Sequence, residues 1–173
     1  VDLKQGRAVL IDDHTVEVGG ERLTTKNILI AVGGWPNLPR IPGIENAITS
    51  NEALELPSLP KKVVIVGGGY IAVEFAGIFS GFGSTVTEII RGEEVLRGFD
   101  NDIRKSLSEE MRKRGIEIFA KTEVIEIKKS GHNLLLTLNN GSVMQTDCIM
   151  YATGRAANTR GLGLEKAGVE LKN

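Results

Sequence analysis

The apolar positions follow two regimes along the chain. Before Pro60 they come in short stretches broken by turns: Arg7 to Ile11, then Asp12-Asp13-His14, then Thr15 to Val18 and a Gly19-Gly20 turn. Asn27 to Val32 is a continuous apolar run ended by Gly33-Gly34, which predicts a buried strand. From Trp35 to Pro60 the pattern dissolves into a connector that holds every proline of the chain: Pro36, Pro39, Pro42, Pro57 and Pro60. One helical turn is expected there at Ser50 to Leu56, with Ser50 as its cap.

Beyond Lys61 strand and helix periods alternate. Val63 to Val66 is wholly apolar and stops at Gly67-Gly68-Gly69; Tyr70 to Phe82 then sets Ile71, Phe75, Ile78, Phe79 and Phe82 at helical spacing. Thr85 to Ile90 reads as a second strand. Asn101 to Arg114 reads as a second helix, with Ile103, Leu107 and Met111 on one face, Asp100 as cap and Gly115 as stop. Ile116 to Phe119 supplies a third strand, so the order predicts a parallel βαβαβ unit. After Thr122 the period drops to two. Glu123 to Lys128, Asn133 to Leu138 and Gly141 to Thr146, joined through Ser130-Gly131 and Asn139-Asn140-Gly141, predict an antiparallel meander. Cys148 to Ala152 is one further apolar strand, stopped by Gly154. The expected class is α/β: a Rossmann-like βαβαβ parallel sheet with a three-stranded β-meander.

Composition narrows what such a fold can meet. The 173 residues are about one domain, 41% hydrophobic and 25% charged, an ordinary globular balance. Lys plus Arg number 21 against 22 Asp plus Glu, a net charge of −1, so no whole-chain field draws nucleic acid or an anionic membrane. No apolar run approaches the ~20 residues of a membrane span. No signal-like segment opens the chain, and Val1 in place of Met reads as an excised or processed start; a cytoplasmic location is expected. A single cysteine excludes an internal disulfide, and two histidines leave no expected metal site. Cys148, within an apolar strand, reads as a buried structural thiol. His14 and His132 fall in turns and are expected at the surface. Arg112-Lys113-Arg114 reads as a solvated helix end that complements the dipole.

The candidate chemistry lies in the glycines, 21 in number. Val63 to Val66 followed by Gly67-Gly68-Gly69-Tyr70-Ile71-Ala72 is a strand, a G-x-G-x-x-A turn and a helix start, the context that this dinucleotide fingerprint requires. Gly67 would make the tight turn, Gly69 would admit a pyrophosphate to the backbone, and Ala72 would let helix and strand pack closely. N–H groups at the helix start would bind the anion. For the choice of nicotinamide nucleotide, Glu88 falls near the ~20-residue distance of the acid in NAD sites. Ligands, however, gather beyond the carboxyl ends of strands, and Glu88 precedes Ile90. Arg91 is the first residue past that end, with Arg97 further on. Two charge-assisted bonds to a 2′-phosphate would favour NADP over NAD by roughly two to four powers of ten at most, less any pairing with Glu93 or Glu94.

These residues resemble the FAD-dependent pyridine nucleotide–disulfide oxidoreductases, most closely the glutathione reductase branch. The resemblance is carried by Val66 to Gly77, Ile90-Arg91 with Leu96-Arg97, Phe99-Asp100, Ile28 to Gly34, and Tyr151-Ala152-Thr153-Gly154-Arg155 with Asn158-Thr159. It implies pieces of an FAD-binding domain at 1–48 and 152–173, with exposed apolar surface there, around an NADP(H)-binding domain at 49–151. It also implies that Tyr70 is a lid over the flavin and Glu74 an acid pairing with a lysine beside it. Ala31, Gly33 and Gly154 would pass close to a cofactor; Val32 departs from the family's usual threonine. In such an enzyme NADPH reduces FAD, the flavin reduces a cysteine pair, and the dithiol reduces glutathione disulfide, usually in a homodimer. The cysteine pair, the first FAD fingerprint and the C-terminal interface domain have no counterpart in these 173 residues, so the segment alone is not expected to catalyse. The alternatives are a dihydrolipoamide or mercuric reductase-like member of the family, or a stand-alone NADPH-binding module.

Overall fold

The computed structural model describes residues 1–172. The chain divides into two compact units: Val1–Trp35 with the chain from Ala156 onward, and Pro36–Arg155.

In the first unit β1 (Ala8–Leu10), β2 (Thr15–Val18) and β3 (Glu21–Thr24) form an antiparallel sheet in that order. Asp12 Oδ1 accepts from the His14 N–H at 2.8 Å to tighten the first turn, and Gly19 and Gly20 make the second with φ of 60° and 83°. Leu10 and Val18 point inward with Leu164, and the Leu10 N–H donates to the Leu162 carbonyl at 2.8 Å. The strand expected at Asn27 to Val32 does not form. Residues 27–33 carry no strand assignment, Leu29 is 91% exposed, and Ile30 and Val32 are exposed as well. A continuous apolar run needs a strand on each side to complete its ladder, and among the described residues none pairs with it. Apolar surface is exposed at Leu3 and Trp35 too. The next strand, β4 (Gly34–Pro36), makes a two-stranded sheet with β12 (Arg155–Ala157).

The second unit begins with a 3-10 turn at Ile44–Asn46 and a short α1 (Ser50–Ala53). Its cap is Thr49, not Ser50: the Thr49 hydroxyl accepts from the Asn51 N–H, and Glu52 Oε2 accepts from the Thr49 N–H at 2.7 Å. That reciprocal box fixes the helix start; the helix runs a single turn to Ala53, short of Leu56.

Then come β5 (Lys62–Val66), α2 (Tyr70–Gly81), β6 (Thr85–Ile89), α3 (Asn101–Lys113) and β7 (Glu117–Phe119). The meander follows as β8 (Val124–Ser130), β9 (Asn133–Leu138) and β10 (Val143–Thr146), and the chain returns to the first sheet as β11 (Cys148–Tyr151). The parallel sheet runs β11-β5-β6-β7, with every neighbouring pair parallel; the meander runs β10-β9-β8, antiparallel throughout. The parallel βαβαβ unit and the three-stranded meander are thus both present, and the final apolar strand closes the parallel sheet against β5.

Strand alternation makes this unit three layers deep. Val63 and Ile65 face a core with Ala72, Ala76, Phe79 and Met111 of the helices. Val64 and Val66 face a second core with Val124, Ile127, Leu134, Leu136 and Leu138 of the meander. Both faces of β5 are covered, as its unbroken apolar sequence demands. The α2 face differs from expectation. Ala72, Ala76 and Phe79 are buried, whereas Ile78 and Phe82 point outward. Small residues win because they let the helix axis approach the sheet. On α3 Ser108 and Met111 are the buried positions, and Ile103 is exposed. Among the described residues no helix is long and apolar enough to cross a membrane, and no group of three His, Cys, Asp or Glu side chains could hold a metal ion.

Candidate functional site

The turn between β5 and α2 gives each glycine a different environment. Gly67 has φ 137°, and a Cβ there would collide with the Ala152 carbonyl oxygen just past β11. The turn therefore presses backbone on backbone, which only glycine permits. A Cβ on Gly68 would lie 3.0 Å from Ile90 Cγ2. Gly69 has nothing within 4 Å of its would-be Cβ: that side is open. Gly69 is also the N-cap of α2 and offers no side-chain hydrogen bond, and the first turn holds no acidic residue. Ala72 is fully buried against the sheet. A helix start with bare N–H groups, its dipole end toward open space, fits an anion that brings its own oxygens.

The loop after β6 lies against this turn. The Leu96 N–H donates to the Gly68 carbonyl at 2.6 Å, and Val95 is completely buried in the helix-side core. Arg91 and Arg97 are both exposed, and among the described residues neither makes a hydrogen bond or ion pair. The neighbouring acids do not neutralise them. Glu93 pairs with Lys121 at 2.7 Å, and Glu94 Oε2 is buried without a hydrogen-bond partner. Lys121 and Arg104, both in contact with this loop, were invisible as sequence signals, since long cations at such positions read as solvated surface.

Glu88 is not available to a ligand. It is 0% exposed and faces the helix-side core, with Ile65 and Ile118 as its cross-strand partners. Neither carboxyl oxygen has a hydrogen-bond partner, and burial alone pushes its pKa up to about 8. A carboxyl so enclosed cannot accept from a ribose hydroxyl.

Tyr70 and Glu74 lie one turn apart on α2, both exposed, with the Tyr70 ring 59% accessible just beyond the glycine turn. Ile71, between the turn and the helix body, packs against the helix-side core. Gly154 has φ 116° and nothing within 4 Å of its would-be Cβ. Gly33 also has positive φ and an open side, and Ala31 is exposed; these two belong to the other compact unit. Cys148 is buried in β11, its thiol pushed up to about 11 by burial and by Asp147, which makes it a poor nucleophile. His14 and His132 are exposed.

A parallel sheet with an uncapped glycine turn at its carboxyl edge is the architecture of the dinucleotide-binding α/β folds. The HOCl-induced flavoprotein disulfide reductase RclA of Escherichia coli superposes with a TM-score of 0.89 at 31% identity, over 99% of this chain and 40% of that one. The family description "pyridine nucleotide-disulphide oxidoreductase" matches residues 1–173, and the chain belongs to that family. A glutathione reductase of Nostoc sp. is 48% identical over 173 residues, covering 99% of this chain and 38% of that protein. The chloroplastic/mitochondrial glutathione reductase of Pisum sativum is 49% identical over 172 residues, covering 99% of this chain and 31% of the relative. The chain thus spans less than two fifths of the length of these relatives.

Proposed function

We propose that this chain is the NADPH-binding segment of a flavin-dependent disulfide reductase that acts on glutathione disulfide. The supporting observation is the open, uncapped start of α2 beside a loop that carries two exposed, unpaired guanidinium groups. The turn from Gly67 to Ala72 would take the pyrophosphate on the free N–H groups at the start of α2, the Gly67 N–H being engaged by the Ile89 carbonyl, and Arg91 and Arg97 would take the adenosine 2′-phosphate. Bound NADPH and FAD would supply hydride transfer, chemistry that side chains alone do not carry. The chain's own contributions are to bind and orient the nucleotide, and to shield the transfer site with the exposed Tyr70 ring, which a rotamer change would swing aside. Glu74, one turn along the same helix, would orient a cation near the flavin. Ala31, Gly33 and Gly154 would let backbone approach it.

The division into FAD-binding pieces at 1–48 and 152–173 and an NADP(H)-binding domain at 49–151 belongs to this reading. So do a homodimeric whole protein and a cytoplasmic location. These 173 residues would not reduce a disulfide by themselves, because their one thiol is buried and held protonated. The resemblance to proteins named glutathione reductase at 48% and 49% identity favours glutathione disulfide over other disulfides.

The test is calorimetric titration of the full-length protein with NADP+ and NAD+. NADP+ is expected to bind at least about tenfold more tightly. Arg91→Glu is expected to reverse that order; equal affinities in the wild type, or an order unchanged by the substitution, would rule out the phosphate assignment.

A further inference from the structure

The loop that carries Arg91 and Arg97 is fixed at its middle through one peptide group. The Val95 carbonyl accepts from Arg104 Nε at 2.9 Å, while the Leu96 N–H, the other half of the same planar unit, donates to the Gly68 carbonyl at 2.6 Å. Arg104 donates a second bond from Nη2 to the Glu94 carbonyl at 3.3 Å, and its Nη1 donates to Asn101 Oδ1 at 3.1 Å. The guanidinium plane is therefore locked to α3 on one side and to two successive loop carbonyls on the other. Leu96 meanwhile holds φ 53°, a left-handed conformation that a non-glycine residue keeps only where its surroundings impose it. The burial of Val95 fixes how deep the loop sits; it leaves open how the peptide plane is turned, and the plane is held from one side by the Gly68 carbonyl and from the other by the Arg104 fork.

We propose that Arg104 is a positioning residue for nucleotide discrimination: by clamping the peptide group between Val95 and Leu96 against Gly68, it sets Arg91 and Arg97 at a fixed offset from the glycine turn. The inference rests on the reading above, in which the turn holds a pyrophosphate and the two arginines a 2′-phosphate. One peptide group then links the two halves of a single ligand site, with α3 as the anchor. Arg104 points its donors at main-chain carbonyls and need not touch the nucleotide.

The experiment compares NADP+ and NAD+ affinities by calorimetry in full-length wild type, Arg104→Leu and Arg104→Lys. NADP+ is expected to weaken roughly tenfold in Arg104→Leu, with NAD+ held within about twofold, because only the phosphate contacts depend on the offset. Arg104→Lys keeps the charge but cannot bridge both carbonyls, so an intermediate loss of NADP+ affinity is expected. It also serves where the leucine variant does not fold. Parallel weakening of both nucleotides marks a merely structural role and overturns the proposal, as does an unchanged NADP+ affinity in either folded variant. A wild type that does not distinguish the two nucleotides overturns the parent reading and this one with it; discrimination in the wild type that survives in the variants overturns this one alone.

Discussion

Two junctions of the parallel sheet lead from a strand to a helix, and they solve the same problem in opposite ways. After β6 the chain takes the long route from Ile90 to Phe99, and Asp100 caps α3 with its own carboxylate, accepting from Asp102 and Ile103 N–H groups at 2.9 and 3.3 Å. After β5 three glycines make the passage, and α2 begins with no side-chain cap. The first arrangement satisfies its orphan donors internally; the second leaves them for something from outside. The glycine junction is also the tighter one, since Gly67 abuts the Ala152 carbonyl while Gly69 faces open space. Closeness on one side and openness on the other are both products of missing side chains, but they answer to different demands.

That contrast can be broken experimentally. The largest expected loss of stability is from Gly67→Ala, where a positive φ and the collision with Ala152 together should cost roughly 3 kcal/mol or more, read as a fall in the denaturation midpoint. Gly69→Ala has room and an ordinary φ of −87°, so stability should change by less than about 1 kcal/mol while NADP+ affinity drops. If both variants lose stability equally, the proposed division of labour between the glycines fails.

A gain in stability, confined to higher pH, is expected from the carboxyl in β6, beneath the junction that Asp100 caps. Glu88 keeps its proton in the folded state up to about pH 8 against an ordinary 4.5. Below pH 4.5 both states are protonated and burial of the ionised form costs nothing. Between 4.5 and 8 only the unfolded state releases the proton, so stability falls as pH rises; above 8 the penalty is constant at up to roughly 5 kcal/mol. Glu88→Leu is therefore expected to raise the thermal midpoint markedly at pH 8.5 and little at pH 4, and a pH-independent gain would contradict the buried-proton account. The smallest effect is from Asp100→Ala, expected to lower stability by about 1 kcal/mol through loss of the cap, with NADP+ affinity unaltered.

Much of the unit from β5 to β11 was legible in the sequence because its period is self-sufficient: strands, helices and turns alternate, and each finds its partner within about a hundred residues. The run Ile28 to Val32 has an apolar pattern of the same quality as β5, yet it is exposed where β5 is buried. Pattern records a segment's suitability for a buried sheet; neighbours decide whether it gets one. On α2 helical spacing marks Ile78 and Phe82 for the buried face, but proximity to the sheet selects Ala72 and Ala76. The glycine turn and Arg91 could be located from spacing alone. Arg104 could not, because its partners in the loop are main-chain carbonyls, which leave no mark on composition or period. Thr49 as cap, in contrast, is legible: Thr49-Ser50-Asn51-Glu52 is an S/T-x-x-E box, whereas Ser50 has Ala53 three residues on.

The parallel sheet has a temporal side as well. Its outer strand β11 is made last, and the Ala152 N–H bonds back to Val66, at the lip of the glycine turn. A chain emerging from the ribosome thus exposes the end of β5 throughout synthesis of both helices and the whole meander. The glycine turn takes its final shape only after residue 152 has left the exit tunnel, so nascent chains halted before that point should present a loose, fast-exchanging turn.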